Sequence, residues 1–293
     1  MNMKVKVKRV NAFTDALDGG NPAGVVLDSP DLSEEQMANI SKKLKVSETA
    51  FVFPSVKADF KIRFFTPEIE VDLCGHATIA TFFTMASEGF FPKNKNLSIT
   101  QETKAGILPV NIEFSDDGNV YSVMMTQAKP ILKDIHLDIL EIANSLKISP
   151  DEIDRSLPEQ VVSSGLFTLP ICIKSFKTLK SIKPDFEKIK HLCKKLEVGS
   201  FHLFTFDTIE PRSIYHARNF PPLYGINEDP VTGTANGAVC NYLIKNRIIQ
   251  EDTLICEQGD TIGRSGRVFV EIDNNTVRVG GRAKIVEELI IYL

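Results

Sequence analysis

The chain states its own layout twice. Arg63-Phe-Phe-Thr-Pro67 is followed by Glu70, then by Cys74-Gly75-His76-Ala77 at the opening of a helical pattern. About 155 residues later, Arg218-Asn-Phe-Pro-Pro222 is followed by Glu228, then by Thr232-Gly233-Thr234-Ala235, again opening a helical pattern. The shared skeleton is Arg-x-Phe-x-Pro, a spacer three residues longer in the second copy, Glu-x-x-x-x-Gly-x-Ala and a helix. The stretches upstream agree as well. Met37, Ile40 and Leu44 recur at helical spacing behind a capping box of Ser33 and Gln36, and Glu48-Thr-Ala-Phe-Val-Phe53 follows as a buried strand. In the second copy a helix starts near Asp185, with Phe186, Ile189, Leu192, Cys193 and Leu196 as its apolar stripe, and a strand follows at Phe201–Phe206. The helix opening at Cys74 carries Ile79, Phe82, Phe83 and Ala86 on one face and stops at Gly89.

Two copies are too few for a solenoid, so the duplication predicts two pseudo-symmetric lobes. Short strands outnumber helices, which makes the fold class mixed α+β. Gln127-Ala-Lys-Pro130 breaks the apolar pattern and sets the expected lobes at 1–127 and 128–293, with the last strand free to return to the first lobe. Asn274-Asn275 reads as a late hairpin turn.

Composition excludes several roles. With 43% hydrophobic and 25% charged residues, the balance is that of a soluble globular protein. A net charge of −4 gives no reason to expect nucleic acid or an anionic membrane as partner. No apolar run approaches the roughly 18 residues that span a bilayer. Met1 to Arg9 alternates Lys with Val and reads as a half-buried first strand, not a signal peptide, which favours a cytoplasmic location. The five cysteines are odd in number and scattered, as reduced thiols are. No metal site is expected: no Cys-x-x-Cys exists, and His191 and Cys193, two apart on a helix, diverge.

Each copy places a glycine at the start of a helix, where free N–H groups and the positive end of the helix dipole favour a carboxylate or oxyanion. Two such turns facing each other across a lobe boundary would frame a cleft for a small anionic substrate. The differences between the copies then narrow the chemistry. Cys74 has Thr232 as its counterpart and His76 has Thr234. A racemase working through two thiols is disfavoured, because only one lobe supplies a thiol. Glu48 lies at the boundary between a turn and an apolar strand, flanked by Ala50 and Phe51, and partial burial there suits a proton-shuttling carboxyl. Its position in the second copy falls at Gly199-Ser200 and carries no acid. Asp229, directly after Glu228, fits either a helix cap or a contact to a substrate amine.

Asn21-Pro-Ala-Gly-Val25, Ser47-Glu-Thr-Ala-Phe51, Arg63-Phe-Phe-Thr-Pro67, Cys74-Gly-His-Ala-Thr78 and Glu228-Asp-Pro-Val-Thr-Gly-Thr-Ala235 together resemble the PhzF-like family of phenazine biosynthesis, over nearly the whole chain. The resemblance implies the diaminopimelate-epimerase-like fold, each lobe a curved mixed sheet around a central helix. It also implies an isomerase that moves a hydrogen without metal or organic cofactor, and a homodimer. By the same likeness Glu48 is the acid/base, with His76 and Asp229 beside it in the catalytic set. Ser47, Gly75, Gly233 and Thr234 bind the substrate, a small carboxylate. Three features depart from the family: Thr234 stands where many relatives carry Ser, Cys74 where the residue is often small and unreactive, and Gly263-Arg-Ser-Gly266 resembles the family's late Gly-Arg turn but lacks its usual proline. The alternatives to a one-base isomerase are an epimerase or racemase using Cys74, and a binding module without catalysis.

Overall fold

A computed structural model describes residues 3–29, 31–93 and 96–293. The chain divides into two compact units, Met1–Thr126 with Gly280–Leu293, and Gln127–Val279. In chain order the elements begin with β1 (Lys4–Ala12), β2 (Asn21–Val26), α1 (Glu34–Leu44), β3 (Glu48–Phe53), β4 (Phe60–Phe65), β5 (Glu70–Val71), α2 (Gly75–Ser87), β6 (Leu97–Thr103), β7 (Gly106–Phe114) and β8 (Val120–Thr126). They continue with β9 (Ile131–Asp134), α3 (Ile139–Leu146), β10 (Gln160–Ser163), β11 (Phe167–Cys172), α4 (Phe176–Ser181), α5 (Phe186–Lys195), β12 (Ser200–Thr205) and β13 (Tyr215–Phe220). The last are α6 (Gly233–Lys245), β14 (Thr253–Gln258), β15 (Gly266–Asp273), β16 (Thr276–Gly281) and β17 (Ala283–Tyr292). This is a mixed α+β fold with few helices, and no helix among the described residues is long and apolar enough to cross a membrane.

The duplication is one of strand order and direction. In the first unit β1 pairs antiparallel with β2, β2 runs parallel to β3 across α1, β3 is antiparallel to β4, β4 runs parallel to β6 across α2, and β6 is antiparallel to β7. In the second, β10 pairs antiparallel with β11, β11 runs parallel to β12 across α4 and α5, and β12 is antiparallel to β13. There β13 then runs parallel to β14 across α6, and β14 is antiparallel to β15. The first strand of the first unit is also paired along its length with β17, from Lys4↔Tyr292 to Ala12↔Ala283. Met1 and Asn2 of the expected first strand lie outside the described residues.

Local signals explain most of these elements. Ser33 and Gln36 form the expected reciprocal capping box on α1, and Met37, Ile40 and Leu44 are buried. Asp185 caps α5 through the Lys188 N–H, and Ile189, Leu192 and Cys193 are buried beneath it. Asn274, at φ +55°, makes the turn between β15 and β16. Gly24, in the Asn21–Val25 motif, has a steric reason to be glycine: a Cβ there would stand 2.6 Å from Leu44 Cδ1 and 2.7 Å from Thr49 Oγ1.

One reading needs correction. A one-sided apolar stripe was expected on the helix after Cys74, but α2 is buried on nearly every side, and Phe83 is one of its less buried residues. Its polar residues are compatible with this because Thr78, Thr81 and Thr84 each turn their hydroxyl back to the carbonyl four residues earlier, at 2.7–2.8 Å. The half-buried β1 also takes one of its lysines inside. Lys8 is buried, and its ammonium lies 2.5 Å from both Glu88 and Glu288. Burial works to lower its pKa, and the two carboxylates outweigh burial and raise it.

The Arg and Glu of the repeated skeleton are partners. Arg63 on β4 holds Glu70 on β5 through two hydrogen bonds of 2.8 Å, and Arg218 on β13 holds Glu228 through two of 2.9 and 2.8 Å. Each guanidinium also lies over the phenylalanine two residues on, at 5.3 Å for Phe65 and 4.9 Å for Phe220. The skeleton thus ties the segment entering each central helix to the sheet. Arg63 holds the Glu70 carboxyl below the usual carboxylate range.

The second unit contains a further buried charge cluster. Glu257 on β14 accepts from His216 Nδ1 at 2.9 Å and from the backbone N–H groups of Ile209 and Glu210, and both His216 and Glu257 side chains are fully buried. Burial works to raise the Glu257 pKa, but these donors outweigh it and hold the carboxyl at about 2. A carboxyl depressed on folding stabilises the native state above its unfolded pKa. That contribution is lost as the pH falls through the folded value. The native state is therefore expected to lose up to about 3 kcal/mol between roughly pH 4.5 and 2 from this group. Denaturant titrations across that range should show a steeper decline for the wild type than for Glu257→Gln; parallel declines would refute the assignment.

Candidate active site

In the first unit the sequence candidates Ser47, Glu48, Gly75 and His76 come together around the start of α2. Glu48 is the first residue of β3, set there by its pairing with Ala23 of β2. Its Oε2 lies 3.3 Å from His76 Nε2, with the Glu48 side chain 19% exposed and the His76 side chain 12%. The geometry of that approach is not a hydrogen bond, and the buried Oε2 has no hydrogen-bond partner. Ser47 Oγ stands 3.2 Å from the same His76 nitrogen. Cys74 Sγ is 3.4 Å from His76 Nδ1.

Helix α2 begins with Cys74 in the cap position at φ −140° and with no side chain closing its first turn. Its leading N–H groups are thus left to a ligand or to water. Gly75 needs no special backbone conformation, and a Cβ there would meet only Met125 Sδ at 3.5 Å. Neither a tight turn nor crowding by the protein accounts for that glycine.

In the second unit Asp229, Gly233 and Thr234 sit around the start of α6, which likewise has no side-chain cap and begins after Thr232 at φ −119°. Asp229 does not cap the helix. Its Oδ2 accepts a short hydrogen bond from Thr232 Oγ1. Gln258, at the end of β14, organises this loop. Its Nε2 donates to the Asp229 carbonyl at 2.9 Å and to Thr232 Oγ1 at 3.1 Å, while its Oε1 accepts from the Thr232 N–H and from Asn236 Nδ2. Ser164 Oγ donates to the Thr234 carbonyl at 3.0 Å.

The counterpart of Glu48 in the second unit is Ser200, first residue of β12 and paired with Thr168 as Glu48 is with Ala23. Ser200 is buried and spends its hydroxyl on Thr168 Oγ1 at 2.7 Å. Ionisable chemistry at this place of the fold belongs to the first unit alone.

Sequence reading missed Gln258, Asn236 and Ser164. One signal for Gln258 was present: Gly259 follows it at φ +90°, where a Cβ would collide with the Arg264 carbonyl at 2.2 Å. It also missed that Cys74 joins His76 and Glu48. The five cysteines are buried thiols and none forms a disulfide among the described residues; although scattered in sequence, Cys240 and Cys256 have their sulfurs 3.3 Å apart.

The family model for phenazine biosynthesis-like proteins (PhzC–PhzF) matches residues 10–288. The chain belongs to the PhzC–PhzF family. Within that family it is 37% identical to the uncharacterized isomerase YfhB of Bacillus subtilis, over 96% of this chain and 94% of the relative. It is 34% identical to the uncharacterized isomerase YddE of Escherichia coli K12, over 94% of each chain. A solved PhzF-family phenazine biosynthesis protein from Bacillus anthracis superposes with a TM-score of 0.90 at 34% identity, covering 99% of this chain and 100% of that one. A hydroxyproline epimerase from Agrobacterium vitis shares the fold alone, with a TM-score of 0.64 at 12% identity over 99% of this chain and 91% of that one. The family and its relatives make this PhzC–PhzF protein an isomerase.

Proposed function

We propose that the protein isomerises a small carboxylated metabolite without a cofactor, by a single carboxyl that removes a proton from one substrate carbon and returns it to another. Glu48 is that carboxyl. The observation that carries the reading is its unpartnered, largely buried Oε2, 3.3 Å from His76 Nε2, in a chain whose duplicated counterpart is a hydrogen-bonded serine. As a carboxylate it takes the C–H proton while the electron pair moves into the adjacent π system. As a carboxylic acid, its proton open to exchange with solvent, it delivers a proton further along, so no other reactant is needed. His76 is placed to polarise the substrate or to relay the proton. The uncapped N–H groups at Gly75 and Gly233 suit a substrate carboxylate or a developing oxyanion. Ser47, Asp229 and Thr234 complete the substrate contacts that the family likeness implies. The same likeness implies a homodimer, which sedimentation of the purified protein would check.

A second reading rests on Cys74 Sγ, 3.4 Å from His76 Nδ1, as the base of an epimerase. Its counterpart Thr232 is no acid and already donates to Asp229, so a thiol mechanism lacks its second base.

The test is solvent-deuterium exchange with the wild type across cyclic and amino-acid carboxylates. Label should enter one substrate carbon, in step with conversion to a double-bond or positional isomer. Inversion at a single stereocentre, with no bond shift, would favour the thiol reading instead.

A further inference from the structure

Among the described residues one group of three metal-ligating side chains comes together, and it lies at the head of α2. One ligand atom each from Glu48, Cys74 and His76 falls within 4.8 Å of the others. We propose that these three residues form a binding site for zinc or a similar borderline-soft divalent cation, and that the cation blocks the reaction instead of serving it.

Three observations carry the site. The first is convergence. Residues two apart inside a helix point to different faces, as His191 and Cys193 do on α5. Cys74, however, stands in the cap position with extended backbone, outside the helical frame, and its sulfur swings back to the His76 ring. The second is spacing. His76 Nε2 is 3.3 Å from Glu48 Oε2 and 3.9 Å from Cys74 Sγ. A tetrahedral zinc ion with bonds of about 2.0 Å to nitrogen and oxygen and about 2.3 Å to sulfur sets ligand–ligand edges of roughly 3.3–3.6 Å. The third edge, between Glu48 and Cys74, lies within the 4.8 Å that encloses all three atoms, so the thiol must turn toward the carboxylate as the ion binds. The third is vacancy in bonding terms: the buried Glu48 Oε2 has no hydrogen-bond partner to give up.

The donor set selects the ion. A sulfur ligand excludes magnesium and calcium, while thiolate, imidazole and carboxylate together suit zinc. Binding costs one proton, lost to solvent from the Cys74 thiol, and the thiolate and carboxylate then balance the dication. Three protein ligands leave a fourth position for water. Coordination occupies the Glu48 lone pair that takes the substrate proton. The inhibition therefore rests on Glu48 being the base, whereas the binding does not.

Cobalt(II) titrated into the intact metal-free protein separates the two. One equivalent should produce a near-ultraviolet thiolate-to-cobalt band with tetrahedral visible absorption, bleached by zinc. The band should disappear in Cys74→Ser and persist in Cys256→Ser. No band at one equivalent, or a band that survives Cys74→Ser, overturns the site. Should Cys74→Ser fail to fold, His76→Gln must weaken zinc binding by more than the roughly 10–100-fold that loss of an outer-shell partner costs; a smaller loss overturns the site as well. Zinc should abolish deuterium exchange by the wild type and a chelator should restore it. A cobalt band together with undiminished exchange in zinc overturns the inhibitory role. Failure of the base reading shows separately, as exchange that persists in metal-free Glu48→Gln.

Discussion

Replacing Glu48 by glutamine should lower turnover by about 10²–10⁴-fold while leaving the unfolding midpoint nearly unchanged. Glutamine keeps the size and the hydrogen-bonding oxygen of the side chain and removes its capacity to carry a proton. The carboxylate makes no hydrogen bond through Oε2 in the free protein, so little native structure depends on it. Nor does the strand, because β3 is held by its backbone pairing with β2 and β4. Glu48→Asp retracts the carboxyl by one methylene and should recover part of the rate, since the chemistry is retained and the placement is not. Measured turnover together with a denaturant titration separates loss of chemistry from loss of fold. A Glu48→Gln protein that is fully active would remove the base from the account.

The second large effect concerns the repeat's own architecture. Arg218→Met should destabilise the protein by about 3–5 kcal/mol, because it strands Glu228 beside a mostly buried site. The Arg218 guanidinium also donates to the carbonyls of Leu179 and Ile182, at 3.0 and 2.9 Å, and these lose their partner in the variant. Arg63 holds the equivalent place in the first unit, but its side chain is 20% exposed against 8% for Arg218, and its third bond goes to the exposed Glu34. Water can replace Arg63, so Arg63→Met should cost about 1 kcal/mol. Exchanging both Arg218 and Glu228 for apolar residues should recover part of the larger loss. Chemical denaturation of the four proteins checks this, and equal costs at Arg63 and Arg218 would contradict it.

These pairs show what the chain discloses on reading. Arg63, Glu70, Arg218 and Glu228 stood out only as repeated letters, and the repetition records a physical need to anchor the segment before each central helix. The succession of helices and strands could be anticipated because local signals are strong there, such as the Ser33–Gln36 box and the apolar run after Glu48. What stayed hidden is non-local or depends on backbone geometry at single residues. The last strand was left free to return to the first lobe, but its partner was not read: the pairing of β1 with β17 joins opposite ends of the chain, which no local pattern encodes, and it sets Glu288 beside the buried Lys8, which also meets Glu88. The burial of α2 on nearly every side was masked by its threonines, which look polar but bond to their own helix. The meeting of Cys74 with His76 turns on one cap residue held in extended conformation.

The central claim is that one carboxyl, and no thiol, carries the proton. Solvent-deuterium exchange run side by side on metal-free Glu48→Gln and Cys74→Ser tests it most directly. The account predicts that exchange into the substrate is lost in Glu48→Gln and largely retained in Cys74→Ser. Exchange that survives Glu48→Gln and disappears in Cys74→Ser would contradict it.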